Sequence, residues 1–443
     1  MDGGGAKLGY SLLILLALGG TLALAGQSRT PASATLGVAT STGSDGSAQQ
    51  LDPDQLARIS VATTPAVARD VERVRELRFR RLPQPEVVTS AFLNRLGVRE
   101  LERQQGGLGI GADDAVGRIT GLLEPGEELE AAYRSTGDLA AAAYDAKTKR
   151  LYVVSDAVAA NRELVEFVLA HELDHALEDQ NFGISGGGKL DDDAALAEQA
   201  LVEGSATDVM IEFAARYLDP LALLAAADTI DSGTGDVPKA FVDQLTWTYL
   251  GGRRFVAELR ELAGSWKLVD YALETRPPVS TEQIMHPRKY VLDERPSTVR
   301  IDGRGLREQG WRLADRNVFG ELATSHLLRV GVEPAAASAA AAGWDGDRYE
   351  LWRRDVAPGD CEYPCRADLV LVAKWLFETP ADATEFEGAA RGYVKGLGSD
   401  GVPPVWSLDG GAVSVVGDGA TVAIAFAPSA DLAKRTAAAQ LRD

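Results

Sequence analysis

The sequence predicts an α+β protein: a mainly helical domain with a small β-sheet edge over residues 51–334, then a small α+β unit over 335–443. Three observations carry this reading. Apolar residues recur at helical spacing through 65–105, 161–179 and 194–217. Two short β-prone runs around a polar turn occupy 141–155. Beyond residue 335 the order strand, strand, helix occurs twice. At 443 residues the chain exceeds one ordinary domain, so two folded units are expected. Its composition, 45% hydrophobic and 25% charged, is that of a globular protein. The formal charge of −20 argues against nucleic acid and anionic membrane surfaces as partners, since both would repel it.

Lys7 precedes an uncharged apolar run from Leu8 to Gly26. Ala23 and Ala25 give an A-x-A cleavage pattern, so residues 1–26 read as a secretory signal peptide. The run is also just long enough to span a bilayer, so an uncleaved signal-anchor, tethering the chain through residues 8–26, is the alternative. Either way the body is exported, to be secreted or held at the outer face of the cytoplasmic membrane. Residues 27–50 are mainly Ser, Thr, Ala and Gly and cannot bury enough surface to offset chain entropy; a flexible linker is expected. Helical patterning then runs through Val67–Leu77 to a break at Pro83-Gln84-Pro85, with Val87-Val88-Thr89 and a second helix through Leu101 beyond it. The hairpin expected at 141–155 turns at Asp145–Lys149. Its outer strand is either an ordinary sheet edge or one that pairs with extended substrate.

His171-Glu172-Leu173-Asp174-His175 lies in a segment with apolar residues at 164, 165, 168, 169, 173, 176 and 177 and no Gly or Pro. This predicts an amphipathic helix with Asn161 as its N-cap. Residues four apart share a helix face, so His171 and His175 point their imidazoles at one place. Two neutral imidazoles there make two zinc ligands, and Glu172 beside the first reaches a water at the metal. A catalytic zinc needs a third protein ligand. Glu198, Glu203, Asp208 and Glu212 on the next helix all qualify by chemistry. Glu203 is favoured because Gly204, Ser205 and Ala206 follow it. A glycine inside a helix costs about 1 kcal/mol relative to Ala, and close approach to the zinc helix would explain its presence.

His-Glu-Leu-Asp-His followed by Ala200-Leu-Val-Glu-Gly-Ser-Ala-Thr-Asp208 resembles the gluzincins, the thermolysin-like zinc metallopeptidases. The resemblance implies His171, His175 and Glu203 as zinc ligands and Glu172 as general base. The family often places an acid four residues beyond its glutamate ligand; here that position is Thr207 and the acid is Asp208. The gap from His175 to Glu203 is longer than thermolysin's, a difference a Gly-rich loop at 183–188 can absorb. A looser likeness links His-Glu-x-x-His-Ala-Leu-x-Asp-Gln-x-Phe182, Glu-Gly-x-Ala-Thr207 and Ser280–Tyr290 to uncharacterised exported zincin-like prokaryotic proteins. It adds no substrate.

For the oxyanion of peptide hydrolysis, His286 and Tyr290 are the candidate donors, with Tyr249 or Tyr271 as alternatives. His326 reads as structural. Asp191-Asp192-Asp193 suit a solvated helix start better than a calcium loop, which would need regular ligand spacing. Cys361 and Cys365, the only cysteines, are expected to form a local disulfide in an exported chain. The reading is therefore an exported Zn2+-dependent peptidase acting on peptide or protein substrates. Two rivals stand beside it: a zinc amide hydrolase acting on cell-wall material, and a non-catalytic surface protein with a structural zinc.

Overall fold

The computed structural model describes residues 10–14, 52–105, 109–138, 140–155, 162–184, 190–227, 237–354 and 366–442. The expected linker at 27–50, the Asn161 cap and the Cys361–Cys365 bridge fall outside them. Helix α1 (Pro53–Arg75) starts earlier than its apolar pattern suggests, because Asp52 and Gln55 cap each other's backbone N–H groups. Strand β2 (Pro85–Val88) follows the proline break, then come α2 (Ser90–Gln105), α3 (Gly109–Thr120) and α4 (Leu129–Arg134). The expected hairpin is present as β3 (Ala140–Asp145) and β4 (Arg150–Val154), its turn held by Thr148 Oγ1 and Lys147 N donating to Asp145. It is not an open edge, however. Tyr10–Ile14, taken as β1, pairs antiparallel along β3, and β2 pairs parallel along β4, giving the order β1-β3-β4-β2.

Behind this sheet lie α5 (Arg162–Phe182) and α6 (Asp192–Tyr217), then α7 (Pro220–Ala227), α8 (Lys239–Ala263) and α9 (Lys267–Glu274). Short helices α10 (Thr281–Met285), α11 (Pro287–Val291) and α12 (Arg304–Glu308) lead out of this part. Helix α5 is central, touching α1, α6 and β3. The expected amphipathic helix is in fact enclosed: every residue from Phe167 to Asp179 is buried. Its acids and histidines therefore require partners inside the protein rather than water.

The second part is built on one antiparallel sheet, order β5-β6-β7-β11-β10-β9-β8. In chain order these are β5 (Arg312–Asn317), α13 (Gly320–Leu328), α14 (Pro334–Ala341), β6 (Trp344–Arg353), β7 (Leu369–Phe377), α15 (Pro380–Gly396), β8 (Asp400–Val402), β9 (Val405–Leu408), β10 (Gly411–Asp418), β11 (Thr421–Ala427) and α16 (Ala430–Ala439). Leu369, Leu371 and Ala373 of β7 face a core with Trp344, Trp375 and Phe386, while Val370 and Val372 face Trp352 and α16. Both sheet faces are covered, which is why β7 reads as an unbroken apolar run. The β10–β11 turn falls at Gly419-Ala420.

Residue 335 does not mark where this unit begins. Strand β5 pairs with β6 from residue 312, and the alanine run is itself helix α14. Ala115, Val116 and Ile119 of α3 also join its core, and Tyr393 Oη donates to the Thr120 carbonyl at 2.8 Å. The two parts thus share segments across the boundary. Among the described residues, no helix is long and apolar enough to cross a membrane.

Candidate metal centre

One turn of α5 and the middle of α6 bring three donor atoms together. His171 Nε2 and His175 Nε2 are 2.9 Å apart, and Glu203 Oε2 lies 3.2 Å from the first and 3.4 Å from the second. Donors about 2.0 Å from a tetrahedral centre stand about 3.3 Å from one another, so these separations fit one shared cation. The two imidazole rings meet edge-on, as ligands aimed at a common point do, with centroids 4.5 Å apart. Among the described residues, His171, His175 and Glu203 form the one group of this kind. All three are buried, as is Glu172 between the histidines.

Burial, with His175 adding to it, drives His171 down to about 4, so that imidazole is neutral. Burial also opposes charge on His175, but Glu203, Glu172 and Asp174 outweigh it and raise the group to about 9. Burial works against ionising Glu203 as well, yet the facing imidazoles hold its carboxyl at about 2. The cluster draws positive charge to the point its three atoms share. A buried His171-His175-Glu203 group of this geometry can hold a metal ion.

Glu198, Asp208 and Glu212 are not part of this group. Asp208 is taken by Arg253 and Arg260, and Glu212 by Arg216 and Arg260. That settles the question of Asp208 orienting a ligand: its carboxylate faces α8. The glycine after Glu203 has a different cause from the one expected. A Cβ on Gly204 would sit 2.1 Å from the Gly252 carbonyl carbon, and one on Gly252 would sit 1.8 Å from the Ala200 oxygen. The close crossing is with α8, not with α5.

His286 and Tyr290 each have a partner. His286 Nε2 lies 3.0 Å from Glu321 Oε1, and the Tyr290 hydroxyl donates to the Arg276 carbonyl at 2.8 Å. Of the two alternatives, Tyr271 is partly exposed on α9, whereas Tyr249 on α8 is buried with its ring centroid 5.8 Å from that of His171. His326 is on α13, and burial lowers it to about 4. Asp191 caps α6 by accepting from Ala194 N, but Asp193 is buried and accepts from both Thr281 N and Thr281 Oγ1. The aspartate run is thus only partly a solvated helix start.

A family model described as a domain of unknown function, DUF8575, matches residues 309–437. That span covers the second sheet and its helices and excludes His171, Glu172, His175 and Glu203. No curated protein and no solved structure matches the chain.

Proposed function

We propose that the chain is an exported zinc-dependent peptidase of the gluzincin kind. The observation that carries this is the convergence of His171, His175 and Glu203 on one point, with Glu172 adjacent on the same helix. Two imidazoles and one carboxylate are the donor set that suits zinc at a catalytic site, where three protein ligands leave one position for water or substrate. When bound, zinc supplies Lewis-acid activation of a water and of the scissile carbonyl. Glu172 takes the proton from the attacking water and passes it to the leaving amine, so that the C–N bond breaks to a carboxylate and a free amine. Tyr249, whose ring lies 5.8 Å from that of His171, is the donor assigned to the carbonyl oxygen as charge develops on it. With β1 lying along β3, cleavage after Ala25 would free that strand edge for an extended peptide.

The test compares three proteins for zinc content and for hydrolysis of a peptide panel that includes cell-wall fragments. Glu172→Gln is expected to keep zinc and to lose about 10²–10⁴-fold in turnover. Glu203→Ala is expected to lose zinc. Turnover by Glu172→Gln at the parent rate would overturn the mechanism, and cleavage of wall fragments alone would move the substrate from peptides to another amide.

A further inference from the structure

Glu203, Gly204 and Ser205 are consecutive on α6, and each meets a different neighbour. Glu203 faces the two histidines, and Gly204 lies against the backbone of α8. Ser205 Oγ donates to Glu178 Oε1 at 2.5 Å, and Glu178 is one turn beyond His175 on α5. The same carboxylate oxygen accepts from Arg75 Nε of α1 at 2.8 Å. Ser205, Glu178 and Arg75 are fully enclosed. Arg75 is itself fixed: its Nη2 is 2.7 Å from Asp270, and its guanidinium lies 4.3 Å over the Trp266 ring, whose Nε1 donates to the Val74 carbonyl.

Resting on the zinc reading above, we propose that Ser205 and Glu178 are positioning residues that set the axial register of α6 against α5 and thereby shape the metal site. A helix rises 1.5 Å per residue, whereas metal–ligand distances tolerate only about 0.2 Å. The interlock at Gly204 and Gly252 fixes α6 against α8, but it does not act on the α5 side, where the ligand-bearing turns meet. A hydrogen bond to a fixed carboxylate has a preferred direction, and in a dry interior it has no water to exchange with. Arg75 holds the Glu178 acceptor in place from the far side, so Ser205 closes on a group that cannot follow it. The bond spans the two ligand-bearing turns directly: Ser205 is two residues from Glu203, and Glu178 three from His175. Neither side chain needs to touch the metal to act on it.

The experiment measures zinc affinity by chelator competition and the visible spectrum of the Co2+ form, for parent, Ser205→Ala and Ser205→Thr. Unfolding of the metal-free proteins is followed in parallel. Ser205→Ala is expected to bind zinc about 10–100-fold more weakly with an altered Co2+ spectrum, and to unfold somewhat more easily without metal because a buried carboxylate loses a donor, yet to stay folded under the assay conditions. Ser205→Thr, which keeps the hydroxyl, is expected to restore the parent spectrum. If Ser205→Ala does not fold, Ser205→Cys, which keeps the volume with a weaker donor, takes its place with the same expected direction. Parent-like affinity and spectrum in the variant would overturn the positioning role while leaving the zinc site standing. Failure of the parent to bind either metal would overturn the zinc reading and this role with it.

Discussion

His171 and His175 share a face of α5 because four residues make about one helical turn, and that much follows from the motif alone. Glu172 follows from the same motif, as the residue next to the first histidine. Glu203 was legible for a different reason: an unfilled ligand position needed a carboxylate on the next helix, and the small residues after it singled one out. Tyr249 had no such signal. Its contact with His171 spans 78 residues of chain and depends on how α8 crosses α6, which no local pattern encodes. His286 and Tyr290 are attractive by chemistry, and their contacts with Glu321 and Arg276 are tertiary, so no local pattern shows them. If the Tyr249 hydroxyl binds the developing oxyanion, Tyr249→Phe removes one donor without touching a ligand. Its kcat is expected to fall about 10²-fold with zinc content and KM unchanged, as steady-state kinetics on a cleaved peptide would reveal. A variant with the parent's kcat would remove Tyr249 from the chemistry.

Whole elements were legible where their periodicity was local. Helix α15 begins at Pro380 with Thr379 and Asp382 capping each other, a signal written in four consecutive residues. Strand β5 was not seen, because Arg312-Leu-Ala-Asp-Arg-Asn317 is polar and pairs along one edge of its sheet. Helix α5 was seen, but its burial was not. Six of its buried residues are ionisable, and partners for His171, His175, Glu178 and Asp179 come from α1, α6 and the β3–β4 hairpin, as with Tyr144 Oη donating to Asp179 at 2.8 Å. Helix α6 makes the sharpest test at this scale. Its crossing with α8 admits no Cβ at Gly204, since the nearest atoms are backbone and cannot rotate away. Gly204→Ala gains about 1 kcal/mol of helix propensity, yet overpacking at such a contact costs about 1–3 kcal/mol or more. Net destabilisation by urea unfolding is therefore expected, together with weaker zinc binding, because the α6 backbone that moves carries Glu203. A variant more stable than the parent would mean that the helices separate without strain.

Across the whole molecule, the two parts meet where the N-terminal end of α6 approaches the second sheet, with Asn317 Oδ1 accepting from Asp192 N at 2.9 Å. Carboxylates gather there from three elements: Asp113 of α3, Asp192 of α6 and Asp315 of β5. Burial raises all three, and mutual repulsion reinforces it for Asp113 and Asp192, the latter reaching about 7. Asp191, Asp114 and Asp347 add negative charge nearby, as does Tyr349 if it ionises, and Arg316 is the cation facing Asp315. The sign follows from linkage. In the unfolded chain these groups ionise near pH 4, but in the folded protein they hold their protons to higher pH. Their contribution to stability is therefore present below about pH 4 and is lost as pH rises, for Asp192 through about 7. The net charge of −20 pushes in the same direction through general self-repulsion, so the parent's pH profile alone does not isolate the junction. Asp113→Asn does, because it removes one charge from the cluster and leaves the Asp114–Arg118 pair intact. Thermal unfolding between pH 5 and pH 8 is expected to show the parent losing Tm as pH rises. The variant should lose less and gain about 1 kcal/mol, roughly 2 °C or more, at pH 7. Parallel profiles for the two proteins would mean that the junction carboxylates reach solvent freely and do not weaken the contact between the two parts.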